Sequence, residues 1–417
     1  MDLESAGAWI MKTDRIFEGL KVWDMSWVGV GPLTARYLAD HGATVVRLDS
    51  TSHPDILRTA PPFKDGLPGY NRSMFYGDYN CSKFGLGLNM KKPEAHKIAY
   101  DMAQWADVVL ESFTPGTMAN WGLSYEELSR EHPELIMLST CMQGQTGPRA
   151  AYPGFGNLMA SMSGYYEITG WPDRDPVMVY GAYTDFIAQR FTTMAVVAAL
   201  DHCHRTGEGQ YIDVSQFEAS LQFLGPEFLD FEVNQNVVSR TGNASFDMSP
   251  HGVYPCKGED QWIAIATKDD GEWQVLKMIM GNPDWAQASD FNIFEGRKKE
   301  ESFINEKISQ WTSNQNSADL FIALQPSVSA GPVQDCGNLY TDEQIKHRNY
   351  FVDLEHPVMG NVPYNGAQTV FSESNNQPTK ASPCIGEDSH YILKEFLHIN
   401  ENEIENLVKN DIVQICL

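Results

Sequence analysis

Short runs of alternating apolar and polar residues take turns with amphipathic helical patterns along the first half of the chain. Strand-like runs occupy residues 21–25, 43–49, 84–90, 108–111, 135–140 and 211–214. Apolar positions at helical spacing fill residues 33–41, 93–105 and 125–131 between them. Because strands and helices that alternate in this way form parallel sheets covered on both faces, we predict an α/β domain.

A different pattern begins after residue 215. Residues 216–234 have helical spacing, 235–255 are loop-like, a strand is predicted at 262–266, and helices are predicted at 272–280, 300–312, 317–324, 391–397 and 402–409. A chain of 417 residues exceeds what one compact core usually holds. We therefore predict a large domain over 1–224, a smaller α+β domain over 225–335, and a return segment over 336–417 that completes the large domain. Residues 1–17 are expected to form an irregular leader.

The first predicted βαβ unit resembles a dinucleotide-binding turn in part. Gly29 and Gly31 follow the first strand, and an acidic residue, Asp49, stands twenty positions after Gly29. Pro32 and the residues after it supply no third glycine. The unit therefore predicts a Rossmann-like half-domain and does not by itself predict NAD binding.

One carboxylate, Asp185, stands at the start of a long apolar helix. Ile187, Phe191, Met194 and Ala198 are spaced to form its buried face, and a glycine-rich segment at 205–209 ends it. Thr184 or Asp185 is the expected N-cap, which contributes about 1 kcal/mol. The same position keeps a carboxylate ionised, and an ionised, positioned carboxylate can attack a thioester. The residues alone leave capping and catalysis open.

Composition and charge exclude some classes of binding partner and indicate a cellular location. The net charge of −25 argues against nucleic acid or an anionic membrane as a partner, and no run approaches 18 apolar residues. Seven scattered cysteines without a CxxC, and an acidic N-terminus unlike a signal peptide, lead us to expect a cytoplasmic location. His202-Cys203-His204 lacks a partner motif, so we expect a helix end there and no metal site.

A dozen short motifs in the same order resemble the formyl-CoA transferase/CaiB family, the class III CoA-transferases. They include segments 19–24, 42–46, 80–83, 106–108, 111–116, 122–123, 147–148, 163–164, 205–210, 330–333, 356–357 and 381–387, together with Asp185. The resemblance covers residue 17 to the C-terminus. It implies a Rossmann-like large domain with a parallel sheet, a smaller α+β domain and an interlocked dimer.

The resemblance also implies chemistry. Asp185 occupies the position of the family's nucleophile, which forms an anhydride with the acyl group of a donor acyl-CoA and then an aspartyl-CoA thioester. A carboxylic acid, the acceptor, then receives the CoA. CoA thioesters are substrates in this scheme, and no tightly bound cofactor is expected.

Candidate CoA-binding positions are carried over from the family residue by residue. They are Gly29, Val30, Arg58, Lys83, Leu88, Asn89, Met90, Lys91, Ser112, Phe113, Thr114, Gly154, Phe155, Gly156 and Asn157. Lys91 offers a positive charge for phosphate, and Gly29 lies in a turn where the backbone can approach a ligand closely.

Departures from the family pattern bear on the substrate. Formyl-CoA transferase has glutamine where Gly29 stands, arginine where Phe84 and Asn120 stand, and aspartate where Asn89 stands, and its glycine-only flap is replaced here by residues 245–252. The α-methylacyl-CoA racemases pair their aspartate with a histidine, whose place is taken here by Phe155. Without that imidazole, racemisation lacks its second acid–base group.

These departures favour a CoA-transferase that uses a donor such as succinyl-CoA and an acceptor bulkier than oxalate, for example an aromatic or branched dicarboxylate of the benzylsuccinate kind. Intramolecular CoA transfer on a branched dicarboxylate, a racemase-like isomerase and a non-catalytic CoA-binding subunit stay open as alternatives. The chain is expected to pair with itself or with a homologous chain.

Overall fold

The computed structural model describes residues 15–416, so most of the predicted leader at 1–17 lies outside the described residues. The strands of the described chain are β1 (Lys21–Asp24), β2 (Thr44–Asp49), β3 (Phe84–Leu88), β4 (Val108–Glu111), β5 (Ile136–Cys141), β6 (Gln210–Ser215), β7 (His251–Pro255), β8 (Trp262–Ala266), β9 (Ser329–Pro332), β10 (Phe351–His356), β11 (Gly360–Asn365) and β12 (Val413–Gln414).

The α-helices of the same part of the chain are α1 (Val30–Asp40), α2 (Met74–Asn80), α3 (Pro93–Trp105), α4 (Thr117–Asn120), α5 (Tyr125–Leu128), α6 (Gly156–Met162), α7 (Tyr165–Ile168), α8 (Tyr183–Thr206), α9 (Gln216–Leu221), α10 (Gly225–Asn234), α11 (Asp270–Ile279), α12 (Phe294–Lys299), α13 (Glu301–Thr312), α14 (Ser317–Leu324), α15 (Cys336–Thr341), α16 (Glu343–His347), α17 (Ser389–Tyr391) and α18 (Glu401–Lys409).

The main sheet has the strand order β12-β3-β2-β1-β4-β5-β6. Strands β1 to β6 pair in parallel, and the short β12 joins β3 antiparallel at one edge. Val22 of β1 points into the core beneath α1 and α8, whereas its neighbour Trp23 points into the core beneath α3 and the C-terminal helices. Alternate residues of one strand therefore fill two cores, and the predicted parallel sheet with both faces covered is confirmed.

The chain divides into two compact units, and their boundaries differ from the predicted ones. Of the described residues, the large unit contains 15–164, Met178–Val233 and 346–416, and the small unit contains Tyr165–Val177 and Asn234–Ile345. Almost all of α10 therefore belongs to the large unit, although the sequence pattern placed the boundary at residue 225. The pattern marks where strands stop alternating with helices, and the fold continues into α10 through one 3-10 turn.

The small unit is built on the antiparallel sheet β7-β8-β9. Its core collects Trp273, Ile304 and Leu324 from α11, α13 and α14 against β8. The segment 165–177 joins this unit by an ion pair of 3.1 Å from Arg240 to Glu167. Contacts of this kind join segments far apart in the chain, so local patterns do not reveal them.

Helix α8 begins at Tyr183 with Ala182 as its N-cap, so the predicted caps Thr184 and Asp185 lie inside its first turn. It ends at Gly207, whose φ of 74° is the left-handed conformation that glycine favours. Its buried face also differs from the prediction, since Met194 is 57% exposed whereas Thr192 is buried. The hydroxyl of Thr192 lies 2.6 Å from that of Thr34 on α1, so the side of α8 that carries Thr192 faces α1.

Candidate active site

Asp185 lies at the carboxyl edge of the parallel sheet, where loops after β1, β4 and β5 meet the start of α8. The order of the sheet reverses between β1 and β4, and the crevice at such a reversal is where open α/β sheets bind ligands. A cleft of about 240 Å³, here called the Asp185 cleft, opens at this point. Its lining residues are Trp27, Val28, Gly29, Val30, Ser112, Phe113, Thr114, Thr140, Cys141, Met142, Ala150, Tyr152, Pro153, Gly154, Phe155, Asp185 and Gln216.

Two glycines hold the carboxylate of Asp185 between them. A Cβ atom added to Gly29 would lie 2.6 Å from Oδ2, and one added to Gly156 would lie 2.6 Å from Oδ1. A Cβ atom does not come within 2.6 Å of a carboxylate oxygen in a folded protein. The backbone at both positions can therefore pack against the carboxylate only because each residue is glycine. Glycine at positions 29 and 156 thus leaves the space that the carboxylate of Asp185 occupies.

Gln216, the first residue of α9, fixes the orientation of this carboxylate. Its side-chain amide donates hydrogen bonds to Oδ1 of Asp185 and, at 3.0 Å, to the hydroxyl of Thr184. That hydroxyl in turn donates to the carbonyl oxygen of Gly156 at 2.9 Å. Oδ1 is therefore committed to the protein, and Oδ2 is the oxygen left for a ligand.

Burial changes the acidity of Asp185. The side chain is only 7% exposed, and this loss of water raises its pKa to about 6, while the hydrogen bond from Gln216 opposes the rise. The carboxylate is still mostly ionised at neutral pH, as the sequence led us to expect. It has fewer hydrogen bonds than a carboxylate in water, and an under-solvated carboxylate is a more reactive nucleophile.

A second cleft of about 380 Å³ lies beside the first and shares Trp27 and Phe113 with it. We call it the Lys91 cleft; the residues that line it are Trp27, Leu48, Asp49, Ser50, Ser52, His53, Leu88, Met90, Lys91, Phe113, Thr117 and Trp121. The ammonium group of Lys91 donates to the carbonyl oxygen of Ser52 at 3.0 Å, which leaves two of its three N–H bonds for a ligand.

Glu111 connects the loop after β4 to the loop after β5 through hydrogen bonds. Its carboxylate accepts a hydrogen bond from the backbone N–H of Phe113 at 2.6 Å and one from the side chain of Gln145 at 3.4 Å. Gln145 also donates to the carbonyl oxygen of Phe113 at 3.2 Å. Burial raises the pKa of Glu111 to about 7, so a second carboxyl group titrates near neutrality here.

Most of the predicted CoA-binding positions line one of the two clefts. Seven lie in the Asp185 cleft and four, counting Phe113 again, in the Lys91 cleft; they are Gly29, Val30, Ser112, Phe113, Thr114, Gly154 and Phe155 in the first, and Leu88, Met90, Lys91 and Phe113 in the second. Gly156 packs against Asp185, and Asn157 follows it on α6. Asn89 is buried and lines neither cleft. Its side chain accepts a hydrogen bond from Ser52, which lines the Lys91 cleft, and donates one to Asp411.

Arg58 and Lys83 do not lie at either cleft. Arg58 is buried and donates to Asp49 at 2.6 Å and to oxygens of Tyr70, Asn71 and Pro383. Lys83 is buried and uses all three N–H bonds, to Asp24 at 2.8 Å, Pro32 and Asn80. The structure places both cations in buried ion pairs, with Asp49 and Asp24, and so gives no support to the predicted contacts of Arg58 and Lys83 with CoA.

We expect Lys83→Met to lower the stability of the large unit by about 3–5 kcal/mol, because it leaves the buried Asp24 without one partner. Lys97→Met, which removes an exposed ion pair with Asp101, should change stability by about 0.5 kcal/mol or less. Urea unfolding monitored by tryptophan fluorescence measures both. If Lys83→Met unfolds like the parent protein but binds CoA more weakly, Lys83 contacts the ligand and this assignment is wrong.

Sequence reasoning missed several lining residues, of which Gln216 matters most. It follows directly after β6, and polar residues just past the carboxyl end of a parallel strand are candidates for a site at that edge. Thr140 and Cys141, at the end of β5, carry the same signal. Cys141 is half-buried and lines the cleft, and burial raises the pKa of its thiol to about 11.

The position that holds histidine in the racemases is filled by Phe155, which is 53% exposed at the mouth of the Asp185 cleft. The residues that line the Asp185 cleft include no histidine, lysine or arginine. Within residues 15–416 no group of three or more His, Cys, Asp or Glu side chains could hold a metal ion, and no helix is long and apolar enough to cross a membrane.

Comparisons with known proteins find relatives that cover most of this chain. The chain is 30% identical over 380 residues to a succinate–glutarate CoA-transferase of Agrobacterium fabrum, covering 90% of this chain and 94% of that protein. It is 28% identical over 406 residues to a probable CoA-transferase of Mycobacterium tuberculosis, covering 95% of this chain but spanning only 50% of that protein's length. The crystal structure of a CaiB/BaiF family protein from Brucella suis matches with a TM-score of 0.85 at 26% identity, covering 92% of this chain and 100% of that one.

The family likeness extends over nearly the whole chain. Residues 17–389 match the sequence pattern that defines one enzyme family, described as CoA-transferase family III. The resemblance inferred from the short motifs is thereby confirmed, as is the α/β fold with a large parallel sheet, whereas the interlocked dimer stays a prediction. The chain belongs to CoA-transferase family III.

Proposed function

We propose that this protein moves CoA from an acyl-CoA to a carboxylic acid through covalent intermediates on Asp185. The observation that carries the proposal is the placement of one carboxylate at the floor of a cleft, with Oδ1 held by Gln216 and Oδ2 left open. Positioning of this kind is what a nucleophilic carboxylate requires, because the reacting atoms must meet in a defined geometry.

The steps balance without a further reagent. Oδ2 attacks the acyl carbonyl carbon and the C–S bond breaks. CoA leaves as a thiolate, and an anhydride between the acyl group and Asp185 remains. The thiolate then attacks Cγ of Asp185 and releases the donor acid as a carboxylate, leaving an aspartyl-CoA thioester. The acceptor carboxylate attacks Cγ and displaces the thiolate again, and the thiolate attacks the acceptor's acyl carbon. The products are the new acyl-CoA and the free Asp185 carboxylate.

The two clefts suggest a path for CoA. Leu48, Leu88 and Trp121 give the Lys91 cleft an apolar wall suited to an adenine ring, and Lys91 supplies charge for phosphate. The pantetheine arm would pass between Trp27 and Phe113, which line both clefts, and bring its sulfur to Asp185.

Succinyl-CoA is the first donor and glutarate the first acceptor to test, since the Agrobacterium relative is named for succinate and glutarate. Met142, Tyr152 and Phe155 give the Asp185 cleft an apolar side, which favours acceptors with a hydrocarbon chain, including aromatic or branched dicarboxylates such as benzylsuccinate. A dimer, either with a second copy or with a homologous chain, stays part of the proposal.

The test is the covalent intermediate itself. The protein is incubated with succinyl-CoA, quenched, treated with hydroxylamine or borohydride, and analysed by intact mass and peptide mapping. We expect modification confined to Asp185. Modification at another residue, or an unchanged mass with succinyl-, glutaryl-, acetyl- and formyl-CoA, contradicts the proposal.

We expect the rate of adduct formation to rise with pH through about 6 and then level off. The reacting form of Asp185 is the ionised one, and burial raises the pKa of this carboxyl to about 6, so one pH unit below that value should cost about tenfold in rate. Rapid-quench measurements between pH 5 and 8 give the profile. The Glu111→Gln variant is the control, because a rise that disappears in this variant would belong to Glu111 instead.

A further inference from the structure

Thr140 places an unused hydrogen-bond donor in the Asp185 cleft. It lies one residue before the end of β5, is only 2% exposed, and lines the same cleft as Asp185. Within residues 15–416 its hydroxyl oxygen has no hydrogen-bond partner. A buried hydroxyl in that condition destabilises a protein by about 1–3 kcal/mol, so its retention at a ligand cleft calls for a reason.

The polar groups nearby are already committed. Ser112 accepts from the backbone N–H of Trp27 at 2.7 Å, and Thr114 lies 3.2 Å from the hydroxyl of Thr117. The side-chain N–H bonds of Gln216 go to Thr184 and Asp185. Thr140 therefore offers a buried donor that none of residues 15–416 uses.

We propose that the hydroxyl of Thr140 donates a hydrogen bond to the carbonyl oxygen of the acyl thioester held against Asp185. This inference rests on the proposed function. When Oδ2 attacks, the electron pair of the C=O bond moves onto that oxygen, and it returns when the C–S bond breaks; Thr140 keeps its proton throughout. Because the lining residues include no lysine or arginine, neutral donors must stabilise the developing negative charge beside an existing carboxylate.

Thr140→Val tests this role because it replaces the hydroxyl with a methyl group of similar shape. We expect adduct formation with succinyl-CoA, measured at saturating thioester, to slow by about 10- to 100-fold. Thr140→Ser, which keeps the hydroxyl, should recover most of the rate. The dissociation constant for free CoA, measured by calorimetry, should stay within about twofold of the parent value.

Thermal unfolding provides a readout that separates this role from a structural one. Since the hydroxyl is unbonded in the free protein, Thr140→Val should unfold at the same temperature as the parent or at a higher one. A lower unfolding temperature together with a slow rate in both variants means that Thr140 supports the fold, and overturns the inference.

Two other results also overturn it, and they are distinguishable from failure of the proposed function. If the parent protein forms the adduct and Thr140→Val forms it at the same rate, the hydroxyl does not act on the thioester. If Thr140→Val binds CoA and succinyl-CoA more weakly by the same factor while the saturated rate is unchanged, the bond goes to a pantetheine amide. If the parent protein forms no adduct with any donor, the proposed function is wrong, and the inference about Thr140, which rests on it, is wrong as well.

Discussion

Replacement of Asp185 by asparagine is expected to reduce CoA transfer by on the order of 10⁴-fold or more, because the amide lacks the anionic oxygen that opens the thioester. Asparagine has nearly the same shape, so it fits between Gly29 and Gly156, and its carbonyl oxygen can accept the hydrogen bond from Gln216. The loss should therefore appear in the rate and in the absence of the covalent adduct, with CoA binding retained.

The same variant should be more stable than the parent protein above pH 6. The folded-state pKa of Asp185 is raised to about 6 from an ordinary value of 3.8, so ionisation of this group opposes folding. The cost is absent below the unfolded pKa, grows as pH rises toward 6, and is constant above that, at about 2–3 kcal/mol. Urea unfolding at pH 4 and pH 8 measures it, and the stabilisation should appear only at pH 8.

Asp201→Asn is the matched control for both measurements. Asp201 lies on the same helix, α8, but is exposed and paired with Arg205 at the surface, so its replacement should leave transfer and stability nearly unchanged. Full transfer by Asp185→Asn would rule out the covalent route. Equal stabilisation of that variant at both pH values would show that the charge of Asp185 does not oppose folding.

Gly156→Ala should lower transfer by about 10²- to 10³-fold, the second largest effect that we expect. The added methyl group would lie 2.6 Å from Oδ1 of Asp185, which is held by the hydrogen bond from Gln216, and 2.8 Å from Cβ of Ala182, which is fixed to the backbone. The carboxylate must shift to make room, and a displacement of about 1 Å in a reacting group can cost about 10²-fold in rate.

Gly225→Ala is the control for this substitution. Gly225 begins α10, and a Cβ atom there would meet nothing within 4 Å apart from its neighbours in the chain, so the variant should transfer CoA at the parent rate. Steady-state kinetics and the adduct assay compare the two variants. A Gly156→Ala protein with the parent rate would show that the carboxylate does not need this close backbone approach.

The fold class followed from local patterns because each pattern reports contacts that a segment makes with its own neighbours. The bounds of α3, β4, β8 and α14 agree with the predicted ranges, since proline, alternation and apolar spacing mark them locally. Apolar spacing placed Asp185 at the start of a helix, and the structure has it in the first turn of α8. Its role in catalysis remains a prediction.

The site was harder to predict, because its contacts join distant segments. Gln216 reaches Asp185 across 31 positions, and Gly29 reaches it across more than 150, so no local pattern connects them. The family resemblance implies that Arg58 and Lys83 contact CoA, whereas in the fold both donate hydrogen bonds to buried carboxylates, those of Asp49 and Asp24. A charge looks the same in a sequence whether it faces water or a carboxylate.

The sequence by itself thus determined a parallel α/β sheet, a second smaller unit, the family and the position of one carboxylate before a long helix. Tertiary structure alone decided which residues surround that carboxylate, that its pKa is raised, and that the hydroxyl of Thr140 has no hydrogen-bond partner in the part of the chain that the structure describes. The physical reason is that secondary structure depends on spacing along the chain, whereas acidity and hydrogen bonding depend on which atoms exclude water in three dimensions.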